Sequence, residues 1–354
     1  MGGLLPAYAV NQRETMSHYI YIPVGNTDSL LVFAMDPNTG VLEKKHEVQM
    51  GKSGHAVCVD HKRQTLYIGL CQGEEYALAA YAIDQQNGGL TTLGEVAVEG
   101  MLCYLSTDGT DRFVLGAYYS AGLATVHAIG DRGAVSKLAC RYPTEQCAHY
   151  IATDVANSYA FVPHVAAANS IYQFEFDAES GRLTPNEIMP VLAAAPGQGP
   201  RHLAFHPKLD IVYADNEQES SVTVYSYDRA QGTLAAQQTV STLPEGGWVG
   251  NSNAQIHIHP SGKFVYVSNR GHDSIAMFAT DPDTGAIRSL GQQAGEDTPR
   301  AFAIEPNGQF LYSGADRSHL LRTFRIGDDG ILHEHGVPVD LGGSAGWVYP
   351  LTVN

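Results

Sequence analysis

Ten residues of this chain have the types that could do chemistry: His55, His149, Arg201, His202, His257 and Arg300, with Asn216, Glu217, Asn269 and Arg270. Arginine presents planar donors suited to a carboxylate, a phosphate or a developing oxyanion. Glu217, near Arg201, could stay ionised and act as a base, and a histidine exchanges protons near neutral pH. Such a group suits a small anionic molecule that arginine holds and water attacks, or that proton transfer rearranges. Any one of these side chains could instead satisfy a carbonyl inside the fold; as a set they read as a site.

Other constellations offer less. His333-Glu-His335 and His257-Ile-His259 each put two histidines on one strand face, as a metal site would. However, His259 belongs to a recurring His-Pro turn, and His333 and His335 follow a Gly turn, so no metal and no cofactor is expected. No Walker or dinucleotide fingerprint is present, which leaves a nucleotide enzyme without support. Tyr118, in Tyr118-Tyr-Ser-Ala-Gly122, could form an aromatic wall of the site. Trp248 and Trp347 lie in Gly-rich loops, where each could cover a site or a sheet edge.

These residues must be positioned by a repeat. An apolar triplet centred on an aromatic residue or Val recurs at Tyr21, Tyr67, Val114, Phe161, Tyr213, Tyr266 and Tyr312, at intervals of about 46 to 53 residues. In step with it runs a Gly followed two residues later by a branched aliphatic: Gly40, Gly88, Gly133, Gly181, Gly232, Gly285 and Gly330. Several of these glycines end runs such as Asp281-Pro-Asp-Thr-Gly285, the chemistry of a tight turn. Alternating segments such as Ser221–Tyr227 and His202–Phe205 fill the remaining space, and no stretch keeps a 3.6-residue period. The pattern predicts an all-β fold, a seven-bladed β-propeller with four antiparallel strands per blade. A tail over 1–16 precedes a single domain over 17–354. In such a fold the first strand of each blade lines the central channel and the loop after the second lies at one rim. The histidines and Arg201 and Arg300 then fall in the channel, and Asn216, Glu217, Asn269 and Arg270 at its mouth.

Composition agrees. The chain has 354 residues, 37 Gly, 17 Pro and only 16% charged residues, a turn-rich and charge-poor body. A formal net charge of −16 with 21 Lys+Arg gives no electrostatic case for nucleic acid. No run reaches the roughly 18 apolar residues of a membrane span, so no membrane partner is expected. The five cysteines are scattered without a CxxC pair, which suggests a reducing, cytoplasmic setting. The expected assembly is a monomer or a weak homo-oligomer.

Three segments carry a resemblance: Gly199-Pro-Arg-His-Leu-Ala-Phe-His-Pro207 with Tyr213-Ala-Asp-Asn-Glu217; Gln255-Ile-His-Ile-His-Pro-Ser-Gly-Lys263 with Tyr266-Val-Ser-Asn-Arg270; and Pro299-Arg-Ala-Phe302. From about His18 to the C-terminus the chain resembles the seven-bladed lactonase family, which includes bacterial 6-phosphogluconolactonases and fungal 3-carboxy-cis,cis-muconate cycloisomerases. The resemblance implies a metal-independent site at the channel mouth, with His149, Arg201, Glu217 and Arg270 as its functional group. His202, His257, Asn216, Asn269, Arg300 and Tyr118 are the expected substrate contacts. The chain departs from the family pattern at Leu102-Cys-Tyr104 and at Gly343-Ser-Ala-Gly-Trp-Val348. The expected activity is hydrolysis of an anionic sugar-acid lactone, with Arg polarising the carbonyl and Glu217 or His149 activating water. A lactonizing cycloisomerase and a non-catalytic interaction platform are the alternatives.

Overall fold

Short alternating segments punctuated by glycine, Asp-Pro and His-Pro can only build strands and tight turns. The computed structural model describes residues 16–353, and among these the one helical element is a single 3-10 turn, Asp131–Gly133. The strands form seven antiparallel sheets, six of them each from one continuous stretch of chain and one joining its two ends, arranged as the blades of a propeller. Blade 5 shows the plan: an inner strand Pro200–Phe205, a second Ile211–Asn216, a third Ser221–Asp228 and an outer strand Thr233–Ser241. The middle strands are sandwiched between neighbouring blades and are buried on both faces, whereas the outer strand alternates toward water.

The ring closes through its ends. Tyr349–Val353 pairs antiparallel with the start of Ser17–Gly25, Val353 opposite Ser17 and Tyr349 opposite Tyr21, so the C-terminal strand is the inner strand of the first blade. Ser344 and Ala345 pair with Gly25 and Val24, which brings the Gly343–Val348 segment across the channel. The tail expected over 1–16 lies, but for Met16, outside the described residues.

The two sequence marks are chemical partners. The Tyr213 hydroxyl of blade 5 donates to the Gly285 carbonyl of blade 6 at 2.8 Å, and Tyr266 reaches Gly330 at 2.9 Å. Tyr21 reaches Gly88, Tyr67 reaches Gly133 and, closing the circle, Tyr312 reaches Gly40. Gly285 must be glycine twice over, because its φ is +71° and a Cβ there would lie 2.8 Å from Ile211. Where the repeat has Phe161 instead of tyrosine, Asn186 bridges the seam, its Nδ2 donating to Gln231 O at 2.6 Å. Apolar clusters fill these seams; Tyr213, Val222 and Val224 of blade 5 pack on Val265, Val267 and Phe278 of blade 6.

Candidate active site

An inner strand in perfect register would send every second residue into the channel. Five inner strands break register near their N-terminal ends. Against the second strand, the pairing skips His55 and Ala56 in blade 2, Cys103 in blade 3, Arg201 and His202 in blade 5, Ala254 and Gln255 in blade 6, and Arg300 in blade 7. These are β-bulges, which re-aim side chains and free backbone groups from the ladder. In blade 5 the freed His202 N–H donates to Asp215 Oδ1 at 2.8 Å; in blade 6 the Gln255 N–H donates to Ser268 Oγ at 3.1 Å. Blade 4 reaches the same end differently, since its inner strand shrinks to Ala152–Thr153 and an isolated Ala148–His164 bridge, with His149 between them.

The residues freed in this way line one cavity of about 190 Å³ at that end of the channel: His55, Cys103, His149, Arg201, Gln255 and Arg300, joined by Gly25, Asp316 and Ser344–Trp347. Every blade contributes. The Arg201 guanidinium is 2% exposed and is held from behind, its Nε donating to Glu217 Oε2 at 2.8 Å and its Nη1 facing His202 Nε2 at 3.2 Å. Glu217 Oε1 is ion-paired with Arg270 Nη2 at 3.1 Å, and the same Nη2 donates to Asn253 O at 2.6 Å. Glu217 is thus clamped between two guanidinium groups. Arg300 makes no hydrogen bond or ion pair among the described residues, although it lines the cavity.

Burial sets the electrostatics. It pulls Arg201 down to about 10, against the opposing pull of Glu217, which leaves the guanidinium charged at neutral pH. Burial, reinforced by the Arg201 charge, holds His149 and His202 well below the usual histidine range, so both are neutral imidazoles. His149 Nδ1 is buried with no partner. Asp215 is fully buried and burial pushes its carboxyl up to about 7, with Oδ2 unpaired. Beneath the cavity an aromatic floor closes the channel: Tyr104 packs 4.3 Å from Tyr150, 5.0 Å from His202 and 5.4 Å from Trp347 between ring centroids.

The structure therefore brings together His149, Arg201, His202, Glu217, Arg270 and Arg300, and separates four of the expected contacts from them. Tyr118 is fully buried in the seam of blades 2 and 3, its hydroxyl 3.0 Å from Thr125 Oγ1. Asn216 donates to Ser221 Oγ and Thr223 Oγ1, and Asn269 to Thr242 O and Ser274 Oγ; both are 0% exposed and tie turns together. His257 lies below the floor, against Phe302 at 4.7 Å, in a separate cavity with Tyr104 and Tyr349. Sequence reading missed Asp215, Tyr104, Gln255 and Asp316, and left Trp347 undecided; the structure places it in the channel. Asp215 and Ser268 had a signal, since each directly precedes the turn asparagine of its blade.

Taken together, fold and cavity define a seven-bladed propeller with an enzyme-like, cationic pocket at one channel mouth. The family model described as lactonase, 7-bladed beta-propeller, matches residues 15–349. Among curated relatives, a protein named 6-phosphogluconolactonase from Pectobacterium carotovorum subsp. carotovorum is 30% identical over 311 residues, 88% of this chain and 92% of the relative. One of the same name from Klebsiella pneumoniae is 29% identical over 91% of this chain and 95% of its own length. Among solved structures, the periplasmic gluconolactonase PpgL of Pseudomonas aeruginosa superposes with a TM-score of 0.88 at 21% identity, over 96% of this chain and all of that one. The chain belongs to the seven-bladed β-propeller lactonase family.

Proposed function

We propose that the protein hydrolyses the lactone of an anionic sugar acid, a 6-phosphogluconolactone-like or aldaric lactone, at the channel mouth. The observation that carries the reading is Arg300, a cation without a partner among the described residues, in one small cavity with a charged Arg201 and a neutral His149. In this reading Arg300 holds the anionic group. Arg201, whose Nε and Nη1 are engaged, turns Nη2 to the ring carbonyl, and Glu217 with Arg270 keeps it there.

His149 is the better base of the two candidates. Glu217 is already ion-paired with two guanidinium groups, whereas neutral His149 has a lone pair available at neutral pH. Water attacks the carbonyl carbon as His149 takes its proton, and the tetrahedral oxyanion develops against Arg201. The ring C–O bond then breaks, His149 returns the proton to the departing oxygen, and the product is a hydroxy acid. Base catalysis and oxyanion stabilisation contribute about 10²–10⁴ and 10²–10³ in rate. The proposed steps use side chains alone, without metal or cofactor.

The family and the names of its relatives favour ring opening over the lactonizing cycloisomerase and over an interaction platform. No helix of the described residues is long and apolar enough to cross a membrane. Five free cysteines support placing the enzyme in the reducing cytoplasm. The large exposed apolar side chains, among them Val155, Val249 and Val337, are scattered, which fits a monomer or weak homo-oligomer.

The test is acid release from 6-phosphogluconolactone and aldaric lactones, each rate compared with buffer alone. The expected result is acceleration of at least one anionic lactone; buffer-level rates for all of them overturn the reading.

A further inference from the structure

Two charged side chains in the cavity have no partner among the described residues. Arg300 is one. Asp316, directly after the second strand of blade 7 at Phe310–Ala315, is the other: its backbone N–H bonds Thr298 O, while its carboxylate makes no hydrogen bond or ion pair among the described residues. The two line the same cavity and do not pair with each other. By position Asp316 corresponds to Glu217 of blade 5 and Arg270 of blade 6, which also stand at the ends of their second strands and are locked into the ion-pair chain behind Arg201. Blade 7 thus presents at the mouth a carboxylate that nothing among the described residues holds.

A free cation and a free carboxylate in one small space complement a ligand with an anionic end and hydroxyl donors. An ionised carboxylate only accepts hydrogen bonds, so Asp316 offers nothing to a phosphate and repels it. A polyhydroxylated ring satisfies it with one or two O–H donors while Arg300 takes the charge. We propose that Asp316 is a specificity-determining residue that reads the ring hydroxyls of the substrate, selecting polyhydroxylated anionic lactones over hydroxyl-free ones. This rests on the lactonase reading above and adds to it the division of work between Asp316 and Arg300.

Three lactones separate the roles: 6-phosphogluconolactone with charge and hydroxyls, gluconolactone with hydroxyls alone, and a carboxymethyl-δ-valerolactone with charge alone. Asp316→Ala is expected to raise KM for the two hydroxylated lactones by about 10- to 100-fold, the loss of one or two charge-assisted hydrogen bonds. Its kcat/KM for the hydroxyl-free lactone should stay level or rise, since a repelling charge is gone. Arg300→Gln should raise KM for the two anionic lactones and spare gluconolactone. Asp316→Asn, which keeps an acceptor, should recover part of the affinity, and unchanged melting temperatures establish that the variants fold. An unchanged KM for 6-phosphogluconolactone in Asp316→Ala, or an equal rise for the hydroxyl-free lactone, overturns the proposal while leaving a lactonase. A wild-type protein that accelerates none of the three and no aldaric lactone overturns the function and this inference together.

Discussion

The two ends of one inner strand carry the same residue types and use them in opposite ways. In blade 5 the strand opens with Arg201-His202 at the mouth and is followed by His206 in the turn at its far end. His206 commits both ring nitrogens to backbone, Nε2 donating to Gly262 O at 3.1 Å and Nδ1 accepting from the N–H groups of Lys208 and Leu209. His259 does the same in blade 6, Nε2 to Gly308 O and Nδ1 from the Ser261 N–H. Asp60, Asp108, Asp154 and Glu305 cap the corresponding turns of blades 2, 3, 4 and 7 with their carboxylates. At the mouth, by contrast, His149 Nδ1, Asp215 Oδ2 and Arg270 Nε are buried without partners, and Arg300 pairs with nothing among the described residues. Between these two ends, residue type does not separate the turn histidines from those of the mouth; the partners of their polar atoms do.

The most direct way to break that distinction is to remove one histidine from each end. His149→Asn is expected to lower kcat by about 10²–10⁴ while leaving the urea midpoint close to wild type, because its unpaired Nδ1 contributes no hydrogen bond to the fold. His206→Ala is expected to do the reverse. Two turn N–H groups lose their acceptor, which costs about 1–3 kcal/mol, and kcat stays within about twofold. Equal loss of activity in both variants would end the comparison.

Proton uptake sharpens it on a smaller scale. His149 and His202 are held well below the unfolded value near 6.5, and burial brings His257 to about 4. Below about pH 6.5 the unfolded chain binds protons at these rings that the folded protein refuses. Their contribution to stability is therefore present above pH 6.5 and lost as pH falls toward 4, at about 1.4 kcal/mol for each tenfold difference in proton affinity between the folded and unfolded chain. Asp215 has the opposite sign. Its folded pKa of about 7 stands above the unfolded value of 3.8, so its contribution is present below about pH 4 and lost as pH rises through 7. Urea midpoints measured from pH 4 to 8 should rise with pH up to about 6.5 and then level off, and Asp215→Asn should make that rise steeper by about one proton. A flat profile in the wild type would mean that the mouth is wetter than its geometry implies.

Much of the fold was legible because the repeated marks are two halves of one bond. The tyrosine hydroxyl of one blade and the glycine carbonyl of the next must keep step along the chain if they are to meet in space. Ring closure was not legible, since the pairing of Tyr349–Val353 with the first strand joins the two ends of the chain and leaves no local mark. The site was legible as a set and less so residue by residue. Neighbours on a strand face opposite sides, so Asn216 and Glu217, or Asn269 and Arg270, cannot both face the mouth. The asparagines turn into the blade, and the charged residues after them form the ion-pair chain. The bulges evade a pattern of alternation altogether, because they put Arg201 into the cavity and its neighbour His202 into the floor beneath it.

The smallest expected effect tests whether the seams are as separate from the mouth as the two ends of the strand are. Tyr213→Phe removes one hydroxyl and nothing else, and leaves the Gly285 carbonyl without its 2.8 Å donor. The expected loss is about 0.5–1.5 kcal/mol in unfolding free energy, with kcat and KM unchanged. Phe161 shows that a seam tolerates a missing hydroxyl when Asn186 bridges it, so Tyr213→Phe asks what an unbridged seam costs. Tyr213 sits on the second strand two residues before Asp215, which supports the bulge that aims Arg201. A fall in kcat beyond the loss of folded protein would show that the seam sets the bulge geometry, and stability and chemistry in blade 5 would then share one strand.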